Sequence, residues 1–109
     1  FQKIAKKQYV ESTTTCCKKL VVFPPMERLE SSEKLFERAE AIAEKYGFPK
    51  AKAIAVGGGS DSAHLTACGI PTLCALGVRG QFNHTEREWA EEDSLFERTK
   101  LLRALLSEL

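Results

Sequence analysis

The chain has 109 residues, 43% of them apolar, and its 16 Lys+Arg against 15 Asp+Glu leave a formal net charge of +1. That length supports one small domain rather than two independent ones. The near-balance of charge lacks the one-sided basic excess of a nucleic-acid surface, and no apolar run nears the roughly 18 residues of a membrane span. No leader peptide is visible, but the first residue is Phe1 rather than Met. The reading therefore expects the true N-terminus to lie elsewhere.

Lysines 3, 6, 7, 18 and 19 make the start of the chain basic, which reads as a solvated face. Residues 7–23 are rich in β-branched types and predict one long strand, or two joined by a bend near Thr15. Within it, adjacent Cys16 and Cys17 would point to opposite sides, which suits neither a shared metal nor a mutual disulfide. Pro24-Pro25 must end the strand, because neither residue can donate to a ladder. The composition changes there, and the principal boundary divides residues 1–25 from 26–109.

From Ser31 the pattern turns helical. Ser31 or Ser32 is the expected cap, supported by Glu33 and Glu37 near the positive end. Leu35, Phe36, Ala39, Ile42, Ala43 and Tyr46 fall at helical spacing on one face. Gly47 ends the helix and Pro49 prevents its resumption. Ala51–Val56 reads as a strand buried on both faces, closed by Gly57-Gly58-Gly59. Ser60 or Asp61 then caps a short helix that runs to Gly69. A second buried strand, Ile70–Leu76, follows. Strand, helix, strand in this order implies a parallel pair with a right-handed crossover.

The connector 77–92 is long and polar, as functional loops often are. The final helix is expected from Asp93 or Ser94, with Leu95, Phe96, Thr99, Leu102, Leu105, Leu106 and Leu109 as its buried stripe. Cys68 and Cys74 are expected to be reduced, buried small side chains, a usage that favours a reducing, cytoplasmic compartment.

Three features carry chemistry. A glycine triplet between strand and helix is either an anion cradle built from free N–H groups or a tight turn for close packing. Its spacing fits neither G-x-G-x-x-G nor a P-loop. His84, in Gly80-Gln81-Phe82-Asn83-His84-Thr85-Glu86, is either a surface residue or a metal ligand oriented by nearby carbonyls and carboxylates. His64 has no evident partner and reads as structural or peripheral. The acidic run Glu86, Glu88, Glu91, Glu92 and Asp93 suits the start of a helix without any catalysis. Trp89 is expected to cover the edge of the core.

Taken together, Gly-Gly-Gly-Ser-Asp-Ser-Ala-His-Leu, Gly-Ile-Pro-Thr-Leu, the loop Asn-His-Thr-Glu-Arg-Glu-Trp and Asp-Ser-Leu strongly resemble the C-terminal part of the co-catalytic zinc peptidases. That family includes glutamate carboxypeptidase, aminoacylase, the tripeptide and dipeptide aminopeptidases and succinyl-diaminopimelate desuccinylase. Tyr-Val-Glu-Ser-Thr-Thr-Thr and Phe-Pro-Pro-Met-Glu resemble the end of the family's inserted lid (dimerisation) domain and the return to the catalytic domain.

The resemblance implies an α/β fold: the C-terminal portion of a zinc-peptidase catalytic domain, a parallel pair with flanking helices, preceded by a lid strand. It implies two zinc ions and hydrolysis of an amide bond beside a free carboxylate, on a peptide or N-acyl amino acid. His84 maps onto the last metal ligand, and Gly58, Gly59 and Ser60 map onto substrate contacts. The parent would be a homodimer.

The histidine-x-aspartate motif, the bridging aspartate and the paired acidic residues of the family's N-terminal part do not occur here. A zinc pair needs ligands from that missing part, so the chain alone is expected to be inactive, and its unpaired sheet edges to make it marginally stable or associating. Phe23 stands where relatives often carry a carboxylate-binding arginine, unless Arg28 or Arg79 substitutes. Two alternatives remain: a small α/β anion- or nucleotide-binding module, and a non-catalytic relative acting in an interaction.

Overall fold

The computed structural model describes residues 1–20 and 22–109. In chain order the elements are α1 (Gln2–Ala5), α2 (Glu30–Lys45), α3 (Ser62–Ala67), β1 (Gly80–Gln81), β2 (Trp89–Ala90) and α4 (Glu92–Glu108). Three of the four helices fall where periodicity and glycine stops place them. The fourth, α1, has no counterpart in the sequence reading.

The core is the seam between α2 and α4. Ala39, Ile42 and Ala43 meet Leu101, Ala104 and Leu105, and Phe48, Leu73 and Leu76 pack against its edge. Alanines on both helices allow a close approach, while Ile42, Leu101 and Leu105 supply apolar volume, each contributing roughly 1.5–3 kcal/mol on burial. Lys45 Nζ sits 2.7 Å from Glu108 Oε1 across the end of the seam. The Tyr46 hydroxyl donates to the same carboxylate, and these partners hold the Glu108 carboxyl below its ordinary range.

Neither Ser31 nor Ser32 caps α2, whose N-cap is Leu29 without a side-chain cap bond. Ser32 instead accepts a 3.1 Å hydrogen bond from the Thr72 amide. The hydroxyl thereby ties segment 70–76 to α2. Gly47 (φ 74°) and Gly69 (φ 76°) lie in the left-handed region, after α2 and α3 respectively, where a Cβ would be strained.

The expected buried stripe of α4 is corrected by one residue of phase, about 100° around the helix. Of its seven residues only Leu105 is buried; Leu106 is 86% and Phe96 60% exposed. The buried positions are Ser94, Leu101, Ala104 and Leu105. Leucines occupy two faces of this helix, and α2 covers one of them.

Segments 51–56 and 70–76 carry no ladder; among the described residues, the paired strands are β1 and β2, antiparallel with Gly80 opposite Ala90. Ile54 and Val56 are 72% and 73% exposed, so 51–56 is not buried on either face. Parallel strands persist when helices cover both faces and neighbours pair both edges, and only Leu73 and Leu76 find such cover here. The parallel pair stays an expectation of the sequence.

The strand expected over 7–23 includes Val21, which lies outside the described residues. Around it, 7–20 and 22–23 form no ladder. A turn breaks the stretch instead, with the Thr13 amide and hydroxyl both donating to the Val10 carbonyl and Ser12 at φ 61°. β-branched residues favour strands through cross-strand packing, and no strand pairs with 7–20 or 22–23 among the described residues.

Cys68 and Cys74, expected to be buried, are exposed, as are Cys16 and Cys17; the helix end and the uncovered segment that carry the first two leave them open. The radius of gyration is 19.9 Å, against about 13 Å for a compact chain of this length. Among the described residues, no helix is long and apolar enough to cross a membrane.

Candidate active-site wall

The glycine turn lies beside the Pro24-Pro25 crossover. A Cβ placed on Gly59 would meet the Phe23 ring at 3.7 Å, whereas Gly57 and Gly58 face open space. Phe23 also packs on His64, with ring centroids 5.3 Å apart and tilted by 55°. His64 is thus a packing residue against the crossover.

Ser60 forms the floor of this wall. Its Oγ lies 3.1 Å from Cys74 Sγ, and accepts the Ser62 amide at 3.2 Å. Hydrogen bonds from Ser60 first, and Ser62 second, lower the Cys74 thiol from its ordinary value. This contact joins the turn to segment 70–76 without a strand ladder, and sequence reasoning missed it. Ser60→Ala should move the midpoint of Cys74 alkylation to higher pH, followed peptide by peptide with iodoacetamide. An unmoved midpoint would mean that Ser60 does not set the thiol.

His84 occupies the tip of the connector. The tip is a tight turn: the Thr85 amide donates to the Phe82 carbonyl at 3.1 Å, and the His84 amide donates to Glu88 Oε2 at 3.1 Å. Arg87 lies 4.7 Å from the centroid of the Phe82 ring. Phe82 and His84 both take left-handed backbone, at φ 61° and 65°. Non-glycine residues held there cost of order 1–3 kcal/mol and cluster at functional sites. His84 is exposed, and its ring accepts or donates no hydrogen bond among the described residues.

Arg79 anchors the base of this loop. Its Nε and Nη1 reach Glu91 and Glu97, each at 2.7 Å, while its amide donates to Ser94 Oγ at 2.9 Å. Ser94 is fully buried and its hydroxyl donates a hydrogen bond to the Glu91 carbonyl at 2.6 Å. Glu91 is held below the ordinary carboxylate range by Arg79. Glu91 therefore serves structure, as the acidic run suggested, and Arg79 is spoken for. So is Arg28, paired with Glu33. Both arginines are thus paired with carboxylates of this chain.

β1 and β2 close the hairpin above this anchor. A Cβ on Gly80 would run into the Trp89 carbonyl, so Gly80→Ala should open the pairing. Amide exchange at Gln81 and in segment 82–88 should speed up markedly, with α2 and α4 protected as before; equal protection of the hairpin would refute the clash. Trp89, expected over the core edge, is 48% exposed on β2 instead.

Among the described residues no hydrogen bond or ion pair links the His84 loop to Gly58, Gly59 or Ser60. No group of three His, Cys, Asp or Glu side chains among them is placed to hold a metal ion. A lone exposed imidazole cannot make a zinc site, which needs three or four protein ligands. A two-metal centre does not fit this chain by itself.

A family model described as Peptidase family M20/M25/M40 matches residues 18–108. No curated protein and no solved structure gives a match.

Proposed function

The chain belongs to the M20/M25/M40 peptidase family, and on that premise we propose that it forms one wall of a metal-dependent amidohydrolase active site. The wall is the glycine turn Gly58, Gly59 and Ser60, facing a peptide or N-acyl amino acid. His84 is the donor this chain offers to the metal pair, for which zinc is the expected element. Metals of this kind activate water and polarise the amide carbonyl when bound. The remaining ligands and the general base come from residues outside this sequence, and the chain alone does not hydrolyse amides. The complete enzyme is a homodimer.

The observation that carries this reading is the span of the family match. It runs through both the glycine turn and the His84 loop, and the exposed His84 ring makes no hydrogen bond among the described residues, on a turn closed by the Thr85 and His84 amides. Gly58 faces open space on its side-chain side, with the Phe23 ring bordering Gly59, and backbone N–H groups of such a turn suit a carboxylate or a developing oxyanion. Preference for an acidic C-terminal residue is not part of the proposal, because Phe23 fills the arginine's place and packs on Gly59.

The test is substitution of His84 in the complete enzyme, with metal content and amide hydrolysis read together. Retention of both would sink the assignment. For the isolated chain, hydrolysis of an N-acyl amino acid with added zinc would show that the wall is not a partial site.

A further inference from the structure

We propose that Cys74 is a positioning residue of the glycine wall: its thiol fixes the Ser60 hydroxyl as a donor to an oxygen of the bound substrate, and its thiolate withdraws that donor. This rests on the reading of Ser60 as a substrate contact. Cys74 acts through Ser60 and does not itself touch the substrate.

A serine hydroxyl has one proton to give and two lone pairs to receive. Ser60 Oγ already accepts the Ser62 amide at 3.2 Å. Cys74 Sγ lies 3.1 Å from the same oxygen, and either atom can be the donor. When the thiol donates, both lone pairs are occupied, and the Ser60 proton is left for a substrate oxygen. A thiolate has no proton to give. Ser60 must then donate to sulfur, and the substrate meets a lone pair where it needs a donor.

The surroundings bring that change below the ordinary thiol range. Hydrogen bonds from Ser60 and then Ser62 favour the thiolate against a smaller cost of burial, and the Ala75 amide adds to them. Ala75 takes left-handed backbone at φ 60°, a strained conformation for a residue with a Cβ. The titratable groups on the adjoining elements are Asp61, His64 and Cys68 of the turn and α3, with Glu40, Glu44, Lys50 and Arg98 bordering Leu73 and Leu76. None of them is among the causes that lower Cys74. The donor is therefore present below the lowered thiol value and is lost as pH rises through it.

The test is the pH dependence of KM and kcat for an N-acyl amino acid in the complete enzyme, compared among wild type, C74S, C74A and S60A. Wild-type KM should rise by roughly two- to tenfold between neutral pH and the ordinary thiol range, the worth of one hydrogen bond. The change should fall on KM rather than kcat, because the contact serves binding. C74A leaves the Ser60 hydroxyl unoriented and should raise KM at every pH. C74S keeps a donor that does not titrate, so it should recover most of that loss and lack the wild-type rise. S60A should raise KM and flatten the profile. An unchanged KM in S60A would remove Ser60 as a substrate contact, and the wall reading with it. A raised KM in S60A, with the wild-type rise intact in C74S, would leave the wall standing and overturn the role of Cys74. A loss in C74A that falls on kcat, or that C74S does not restore, would make Cys74 a packing residue only.

Discussion

His84→Asn in the complete enzyme should lower bound metal and reduce kcat/KM by at least about 100-fold, the upper range for removing even a supporting partner of a metal ligand. Asparagine is the informative substitution because it tolerates the left-handed backbone that position 84 adopts (φ 65°). The turn is retained by bonds that do not use the imidazole: the Thr85 amide to Phe82 and the His84 amide to Glu88. Alanine would remove the imidazole and also strain the backbone, mixing two effects. With asparagine the loop stays folded and only the donor goes. Metal content by elemental analysis and hydrolysis of an N-acyl amino acid are the paired measurements. Unchanged values of both would leave His84 as a surface residue on a strained turn. Lost hydrolysis with full metal would move its role from ligand to substrate contact.

What makes that experiment sharp is the rigidity beneath the loop. Arg79 binds two carboxylates and, through its amide, the buried hydroxyl of Ser94. Its pairing with Glu91 and Glu97 raises the guanidinium above its already high ordinary value, so the anchor stays charged at every working pH. Such an anchor restrains the base of the loop, and a metal ligand needs a supported base.

The sequence and the structure agree most where a signal is local. The helix over 30–45 was legible from Leu35, Phe36, Ala39, Ile42 and Ala43 at helical spacing, and its end from Gly47. The motifs from the glycine turn to Asp-Ser-Leu that carry the family resemblance are also local, and the family match spans them, although it begins after residues 9–15. Agreement fails where the outcome depends on a partner. Ile54 and Val56 have strand character, but burial requires something to lie on them, and among the described residues nothing does. The β-branched run at 7–20 meets the same obstacle. Contacts between distant residues were not legible at all. No spacing rule brings Ser60 to Cys74, or Arg79 to Glu91 and Glu97.

Leu105→Ala should destabilise the chain by about 2–5 kcal/mol, the range for large-to-small changes in a core, whereas Leu106→Ala should stay within about 0.5 kcal/mol. The two leucines are neighbours, and periodicity alone assigned both to the buried stripe of α4. Geometry separates them: Leu105 is 3% exposed and Leu106 86%. Leu105 lies among Ala39, Ile42, Ala43, Leu101 and Ala104, and the three alanines have no side-chain freedom with which to fill a void. Removing it takes away a large share of the apolar volume that holds α4 to α2. The Lys45–Glu108 bridge is too exposed to compensate, since ion pairs at the surface contribute little. Urea unfolding followed by helical circular dichroism measures both variants. A large loss for Leu106→Ala would show that its face is covered in the working protein, and the stripe expected from periodicity would then be the interface with the rest of the enzyme. Equal, small losses for both would mean that the α2–α4 seam is not what holds the chain together.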